Sequence, residues 1–259
     1  MKRFLLLPLA MLISHTTTAQ QPPPDLNSYL KGKSSASLSD TRYQMLTDAG
    51  LTLGFRGGKA QRAWELRQAL ESRASTLDAL YDFRPLTHRE GWLPPVIDEA
   101  RDVATITDDQ IRTASAIYTL VLPERFISNP PSWRTWLYAG LDIQVPEGPE
   151  NMVKPENAEQ RRILRDAITQ GWQEGRESAD HTLEASFNRL TRDYRGMLLY
   201  SALLRQGKIS RPTVTEQRQT VTGDKQRLVT GDRVRRLQDR AGFETDKTKW
   251  KPAISGEKP

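Results

Sequence analysis

GWQEGRESADHTLEASFNRLTRDYRGMLLYSALLRQG, residues 171–207, carries the strongest periodicity in the chain. Together with the residues before it, apolar or small side chains recur at Leu164, Ile168, Trp172, Gly175, Ala179, Leu183, Phe187, Leu190, Tyr194 and Met197. The mean step is about 3.7 residues, which is the period of an α-helix and not of a strand. Pro155 is predicted as the first helical residue, where its missing N–H costs nothing, and Gly207 as the stop just past the last turn. About fifty residues rising 1.5 Å each give roughly 75 Å of helix. A stripe that long needs other elements packed along it. Gly171, Gly175 and Gly196 are expected to mark a bend or a close helix contact, because glycine inside a helix is otherwise unfavourable.

Working towards the N-terminus, residues 38–80 are predicted helical, with Tyr43, Leu46, Leu51, Phe55, Ala63, Trp64, Leu66, Ala69, Leu70, Leu77 and Leu80 available for burial. GLTLGFRGGKA (residues 50–60) superficially suggests a phosphate-binding loop. The Gly54–Gly58 spacing is one residue short, however, and Ala60 replaces the hydroxyl that would hold magnesium, so close helix packing explains the glycines better. Residues 81–104 are broken by prolines and are predicted to form an extended, partly buried connection. Helical spacing is read again over 108–122 through Ile111, Ala114, Tyr118, Val121 and Leu122. A short helix follows near Trp133, with Ser132 or Asn129 as its cap, and residues 143–153 form a loop.

Beyond Gly207 the pattern changes to alternation. Residues 213–221 alternate, and the tetrad VTGD stands at 221–224 and again at 229–232, each Gly-Asp a turn signal beside β-branched residues. One or two short hairpins are predicted there. Calcium ligation by Asp224 and Asp232 is the alternative, but turn chemistry accounts for two lone carboxylates more simply. The expected fold class is therefore mainly α, with a small C-terminal antiparallel β element.

The first residues have the grammar of a secretory signal: Lys2 and Arg3, an apolar run from Phe4 to Ile13, and Thr17 and Ala19 at the minus-three and minus-one positions of a cut before Gln20. A retained anchor is the competing reading, although the run is far shorter than the roughly 20 residues of a membrane span. The organisation read from the sequence is a signal peptide (1–19), an N-terminal arm (20–37), a helical core domain (38–212), a β-hairpin region packed on or near the core (213–252) and a tail (253–259). The hydrophobic fraction of 37% and mean hydropathy of −0.64 suit an elongated helical protein more than a compact enzyme. Cysteine is absent, which excludes disulfides and thiol chemistry.

The net charge of +6 is unevenly placed: residues 205–259 hold 14 Lys and Arg against 7 Asp and Glu. Such a region can meet nucleic acid, anionic lipid or an acidic protein, or stand simply as a solvated basic tail. Catalytic signatures are thin. Past the leader the histidines are His88 and His181, with no HExxH pair, and no GxSxG elbow occurs. Paired carboxylates, such as Asp98 with Asp102, are what a cell-wall hydrolase could use. No catalytic residue, cofactor or metal site is expected. The tryptophans beside proline are more telling, because large aromatics there either seal a core or anchor an interface. Trp92, Pro94, Pro95, Trp133, Trp136 and Trp250 are accordingly the interface candidates.

The ordered series YDFRPL, GWLPPVIDEA, DDQIRTASAIYTL, PPSWRTWL, GWQEGRESAD, RLTRDYRGMLLYSALL, VTGD and WKP resembles the DotC family, called TraI in related conjugative plasmids, over residues 38–252. The resemblance implies a structural, non-enzymatic outer-membrane core component of a type IVB secretion or conjugation apparatus. Such a component would assemble with DotD-like and DotH-like proteins in a multimeric ring. Family members resemble one another as lipoproteins acylated on a cysteine after the signal. Here Ala19 is followed by Gln20, so association of this exported, periplasmic chain with the outer membrane would come through partners. Two other readings stand beside it: a periplasmic nucleic-acid-binding protein that uses the basic C-terminal region, and a cell-wall hydrolase.

Overall fold

A computed structural model describes residues 40–145, 148 and 153–251. The predicted leader, the arm and the tail lie outside these residues. In chain order the elements are α1 (Asp40–Glu71), α2 (Ala74–Leu80), β1 (Trp92–Leu93), β2 (Val96–Ile106), β3 (Ile111–Leu122), β4 (Arg125–Phe126), α3 (Arg134–Leu137), α4 (Ala158–Arg205), β5 (Thr213–Gly223), β6 (Leu228–Asp239) and a final 3-10 turn (Lys247–Lys249).

The spine is α1 against α4, running parallel. Arg42 at the start of α1 reaches Lys154 O and Gln160, while Arg62 further along donates to Asp180 at 2.9 Å. Small residues make the approach unusually close, since the buried face of α1 is largely Ala49, Gly50, Gly54, Gly57, Gly58, Ala60 and Ala63. A Cβ at Gly54 would sit 2.1 Å from Ile168 O, and one at Gly58 2.1 Å from Trp172 O. From the other side, Cβ atoms at Gly171 and Gly175 would meet Leu51 O and Phe55 O at 2.2 and 2.1 Å. Backbone therefore touches backbone, where ordinary helix pairs keep their axes about 8–10 Å apart. The close-packing reading of these glycines is the one the structure supports.

At 48 residues, α4 is about 72 Å long. Its predicted stripe faces inward except at Phe187, which is exposed. The helix begins at Ala158 and not at Pro155, because Asn157 is the cap and accepts from Gln160 N at 2.8 Å. The Gln160 side chain in turn accepts from Glu156 N at 3.0 Å, one residue ahead of the cap, so a reciprocal pair of bonds fixes the entry to the helix. Gly207, at φ +68°, ends it as predicted. After α3 the chain returns along the spine, burying Leu141 and Ile143 against Ala63, Leu66 and Ala179, then Val153 against Leu46 and Leu164. No side chain caps α3, so neither Ser132 nor Asn129 plays that part.

The expectation of a mainly α chain is corrected. Of the described residues 46% are helical and 25% strand, in three small antiparallel sheets spread along the chain, so the fold is α+β. The largest change is at 96–122, where an extended connection and a helix were predicted and β2 and β3 form one hairpin. Ile111, Ala114, Tyr118 and Val121 fit a helical spacing, but Ile111, Thr113, Ser115, Ile117, Thr119 and Val121 also alternate, and they are mostly β-branched. The half-buried positions of β3 are Ala114, Ala116, Tyr118 and Leu120, a period of two.

Candidate assembly surface

Two hairpins leave the spine at one place. Near the C-terminal end of α4, Trp92, Ile97, Tyr200, Leu203, Ile209 and Ala241 form a buried apolar knot, with Tyr118 and Val214 packed against it. Ile97 and Tyr118 belong to the β2–β3 hairpin, and Val214 to the β5–β6 hairpin, so both are rooted in the same cluster. Gly196 lets β2 lie on the helix: a Cβ there would be 2.6 Å from Val96 Cγ1 and 2.8 Å from Ile97 O. The second root is lashed by main-chain bonds between the segments flanking the hairpin, Ser210 N to Gly242 O at 2.9 Å and Glu244 N to Lys208 O at 2.9 Å.

A clasp joins the two roots. Glu124, just after β3, has a fully buried carboxylate; Arg240, just after β6, donates to the Glu124 carbonyl at 2.7 Å and stands 3.5 Å from its Oε1. Arg235 also donates to Glu90 O at 3.2 Å. Burial pushes the neighbouring Tyr200 phenol up to about 12, with Arg211 opposing the rise and Glu124 adding to it.

Beyond their roots the hairpins leave the protein. Strands of 11 and 12 residues make each arm about 36–40 Å long. Each arm is a sheet of its own, and among the described residues its outer edges meet no third strand. Large apolar side chains are exposed along both arms: Ile106 and Ile111, each 70% exposed, at the tip of the first; Val221 at 60% and Leu228 at 73% near the tip of the second. Cross-strand register places Ile106 opposite Ile111 and Ala100 opposite Ile117 on one face of the first arm. On the second arm, Val221 lies opposite Thr230 and Val234 opposite Gln217 on one face. Isolated two-stranded hairpins are marginal in water, and unpaired edges invite another chain.

The arms differ in charge. Residues 96–122 hold five Asp and Glu against two Arg, whereas residues 213–239 hold six Arg and Lys against four Asp and Glu. On the first arm Arg101 pairs with Glu99 at 3.0 Å and holds that carboxyl below its usual range. On the second, Glu216 sits among Arg218, Arg235 and Arg233 at 2.5, 2.9 and 3.5 Å, and the Arg218 hydrogen bond leads in lowering its pKa. Asp102, midway along β2, has φ 49°, a left-handed conformation uncommon outside glycine.

The structure separates the residues singled out from sequence. Trp92, Trp133 and Trp136 are buried, as are Pro94 and Pro95. Trp133 Nε1 donates to Asp78 at 2.7 Å; Trp136 Nε1 donates to Asp193 at 2.8 Å while its ring stacks on Phe83 at 4.6 Å. Trp92 stacks on His88 at 4.5 Å and donates to Glu90. All five of these side chains are used inside this chain. Trp250 is partly exposed beside the second root, its indole N–H on Glu244 O and Lys208 Nζ 5.3 Å from its ring centre.

Asp98 and Asp102 lie along one exposed strand, with Thr119 opposite Asp98, and not across a cleft from one another. Asp224 makes the turn at the first VTGD, accepting from Gln226 N and Arg227 N at 2.8 and 2.9 Å. The second tetrad continues as strand, with Gly231 at φ +68°. His181 is a surface group 3.8 Å from Glu184. The exposed tips Ile106, Ile111 and Leu228 escape sequence reasoning; the β-branched run on either side of Thr107-Asp108-Asp109-Gln110 is the signal that could have found the first arm.

Among the described residues no helix is long and apolar enough to cross a membrane. Residues 40–252 match the family described as type IV secretory system, conjugal DNA-protein transfer. No curated protein matches the chain.

Proposed function

The chain belongs to the type IV secretory system family of conjugal DNA-protein transfer, a family of secretion components and not of known enzymes, and from that premise we propose that it is a structural subunit of the apparatus's outer-membrane core. In this reading it is exported, resides in the periplasm and reaches the outer membrane through partners of the DotD and DotH kind. The two projecting arms are the observation that carries the reading. Among the described residues they carry the most exposed large apolar side chains, Ile106, Ile111 and Leu228, together with strand edges that meet no third strand, which is the surface distribution of a part completed by its neighbours. The basic C-terminal arm is compatible with binding protein as readily as nucleic acid, since three of its arginines already face Glu216.

Deletion of the gene from a conjugative system tests the reading. Transfer is expected to fall to background and to return with the gene supplied in trans. Unchanged transfer in the deletion strain would sink it.

A further inference from the structure

We propose that the acidic β2–β3 arm of one copy seats on the basic β5–β6 arm of a second copy, joining copies head to tail. The inference rests on the reading of the chain as an assembly subunit and names one of its partners. Three observations converge on a second copy as the occupant. The arms carry opposite net charge, three negative on residues 96–122 and two positive on residues 213–239. They match in length, with strands of 11 and 12 residues in each. Each also leaves a row of apolar side chains uncovered, Ala100, Ile117, Ile106 and Ile111 on the first, Val234, Val221 and Leu228 on the second.

Within one chain the two arms remain separate sheets, and their roots are held by the Arg240–Glu124 and Arg235–Glu90 contacts. Seating acid arm beside basic arm, edge to edge, between copies pairs free strand edges, sets the two apolar rows side by side and brings unlike charges together across the new strand pair. In the head-to-tail arrangement the contact is heterologous, each copy giving its acidic arm to one neighbour and its basic arm to another. Such a contact closes into a ring or grows as a filament.

Paired charge reversals on the full chain test this. Asp98→Lys with Asp108→Lys reverses the first arm, and Arg227→Glu with Arg236→Glu the second; all four residues are exposed. By sedimentation velocity at low salt, the wild type is expected to self-associate and each reversed protein to do so at least about tenfold more weakly. An equimolar mixture of the two reversed proteins is expected to recover the wild-type association, because each arm then meets its opposite. Circular dichroism melts identical to wild type confirm that folding is unaffected.

The chain has no cysteine, so Ile111→Cys in one copy and Val234→Cys in a differently tagged copy supply the only thiols for a short bifunctional crosslinker. A crosslinked heterodimer supports the pairing. A chain that is monomeric at all concentrations without crosslink overturns it, as does association that ignores both reversals or a mixture that fails to recover. If it fails while gene deletion still abolishes transfer, the arms serve another protein and the assembly reading stands; if deletion leaves transfer intact, that reading fails whatever the chain does alone.

Discussion

The spine and the arms use backbone in opposite ways. Along α1 and α4 every close approach is already made: the glycine Cα atoms leave no room for a methyl group, and Arg176 closes the flank on Glu65 at 2.9 Å. Along β2–β3 and β5–β6, half of the strand hydrogen-bonding capacity faces outward and the tip side chains are mostly in solvent. One region is packed within the single chain, and the other keeps its edges and tips open. The lesson is that the residues that hold the spine and the residues proposed for assembly are different ones, which allows each set to be altered without the other.

The largest effect is expected at the spine. Gly58→Val places side-chain atoms into the Trp172 carbonyl, where even a Cβ would be 2.1 Å away, so the helices must part. A loss of about 3 kcal/mol or more is expected, read as a lowered melting midpoint at 222 nm. Gly242→Ala, where an added Cβ meets nothing within 4 Å, is the control and should stay within about 0.5 kcal/mol. Equal losses at both positions would break the contrast.

A smaller effect is expected at the joint between α1 and α3. Glu71 receives Arg134 Nε and Nη2 at 2.7 and 2.6 Å and the Tyr138 hydroxyl. The Arg134 guanidinium foremost, with Tyr138, holds its carboxyl at about 2, below the ordinary 4.5. A depressed acid contributes stability that is complete above about pH 4.5 and is lost as pH falls through about 2. Burial foremost, with the Glu71 hydrogen bond, pushes the Tyr138 phenol up to about 12, so its share is complete below about pH 10 and lost as pH rises through about 12. Because Glu71 and Arg134 are both more than a third exposed, solvent screening limits the ion pair to about 1 kcal/mol at most. Glu71→Gln should therefore flatten the acid limb of stability between pH 4.5 and 2 relative to wild type, measured by urea midpoints. Parallel limbs in the two proteins would remove Glu71 from the account.

The smallest effect on stability is expected at the arm tips, where the functional effect should be greatest. Ile106→Thr with Leu228→Thr keeps strand propensity and replaces apolar surface that is mostly in water already. The melting midpoint should move by no more than about 0.5 kcal/mol equivalent, while conjugal transfer falls sharply. A large stability loss would mean that the tips are anchored to their own chain.

Helices were legible in the sequence because their signals are local. The stripe from Leu164 to Met197, the stop at Gly207 and the packing glycines are all read within a few turns. The cap at Asn157 with Gln160 was equally local and was masked by the prominence of Pro155. The first arm was not legible, and the reason is physical. Alternation marks a strand when the buried face is apolar and the wet face polar, but in β3 the exposed face carries Ile111, Thr113, Ile117 and Thr119 while the half-buried face carries Ala114, Ala116, Tyr118 and Leu120, so the burial contrast is not matched by a contrast in polarity. For the same reason the tryptophans drew attention as surface anchors, although their neighbours Asp78, Asp193 and Glu90 were already there to satisfy the indole N–H groups from within.

The parallel course of α1 and α4 turns the subunit into a ruler. Asp40, where the described chain enters, lies beside the start of α4, and both arms leave near Tyr200 at its other end. Forty residues of uninterrupted helix separate Gln160 from Tyr200, about 60 Å. Because glycine contacts fix α1 to α4 without slack, the span cannot shorten by sliding. Whatever holds the chain ahead of Asp40 and whatever grips the arms are kept that far apart, and inserting or removing one helical turn in both helices together would change the distance by about 5.4 Å.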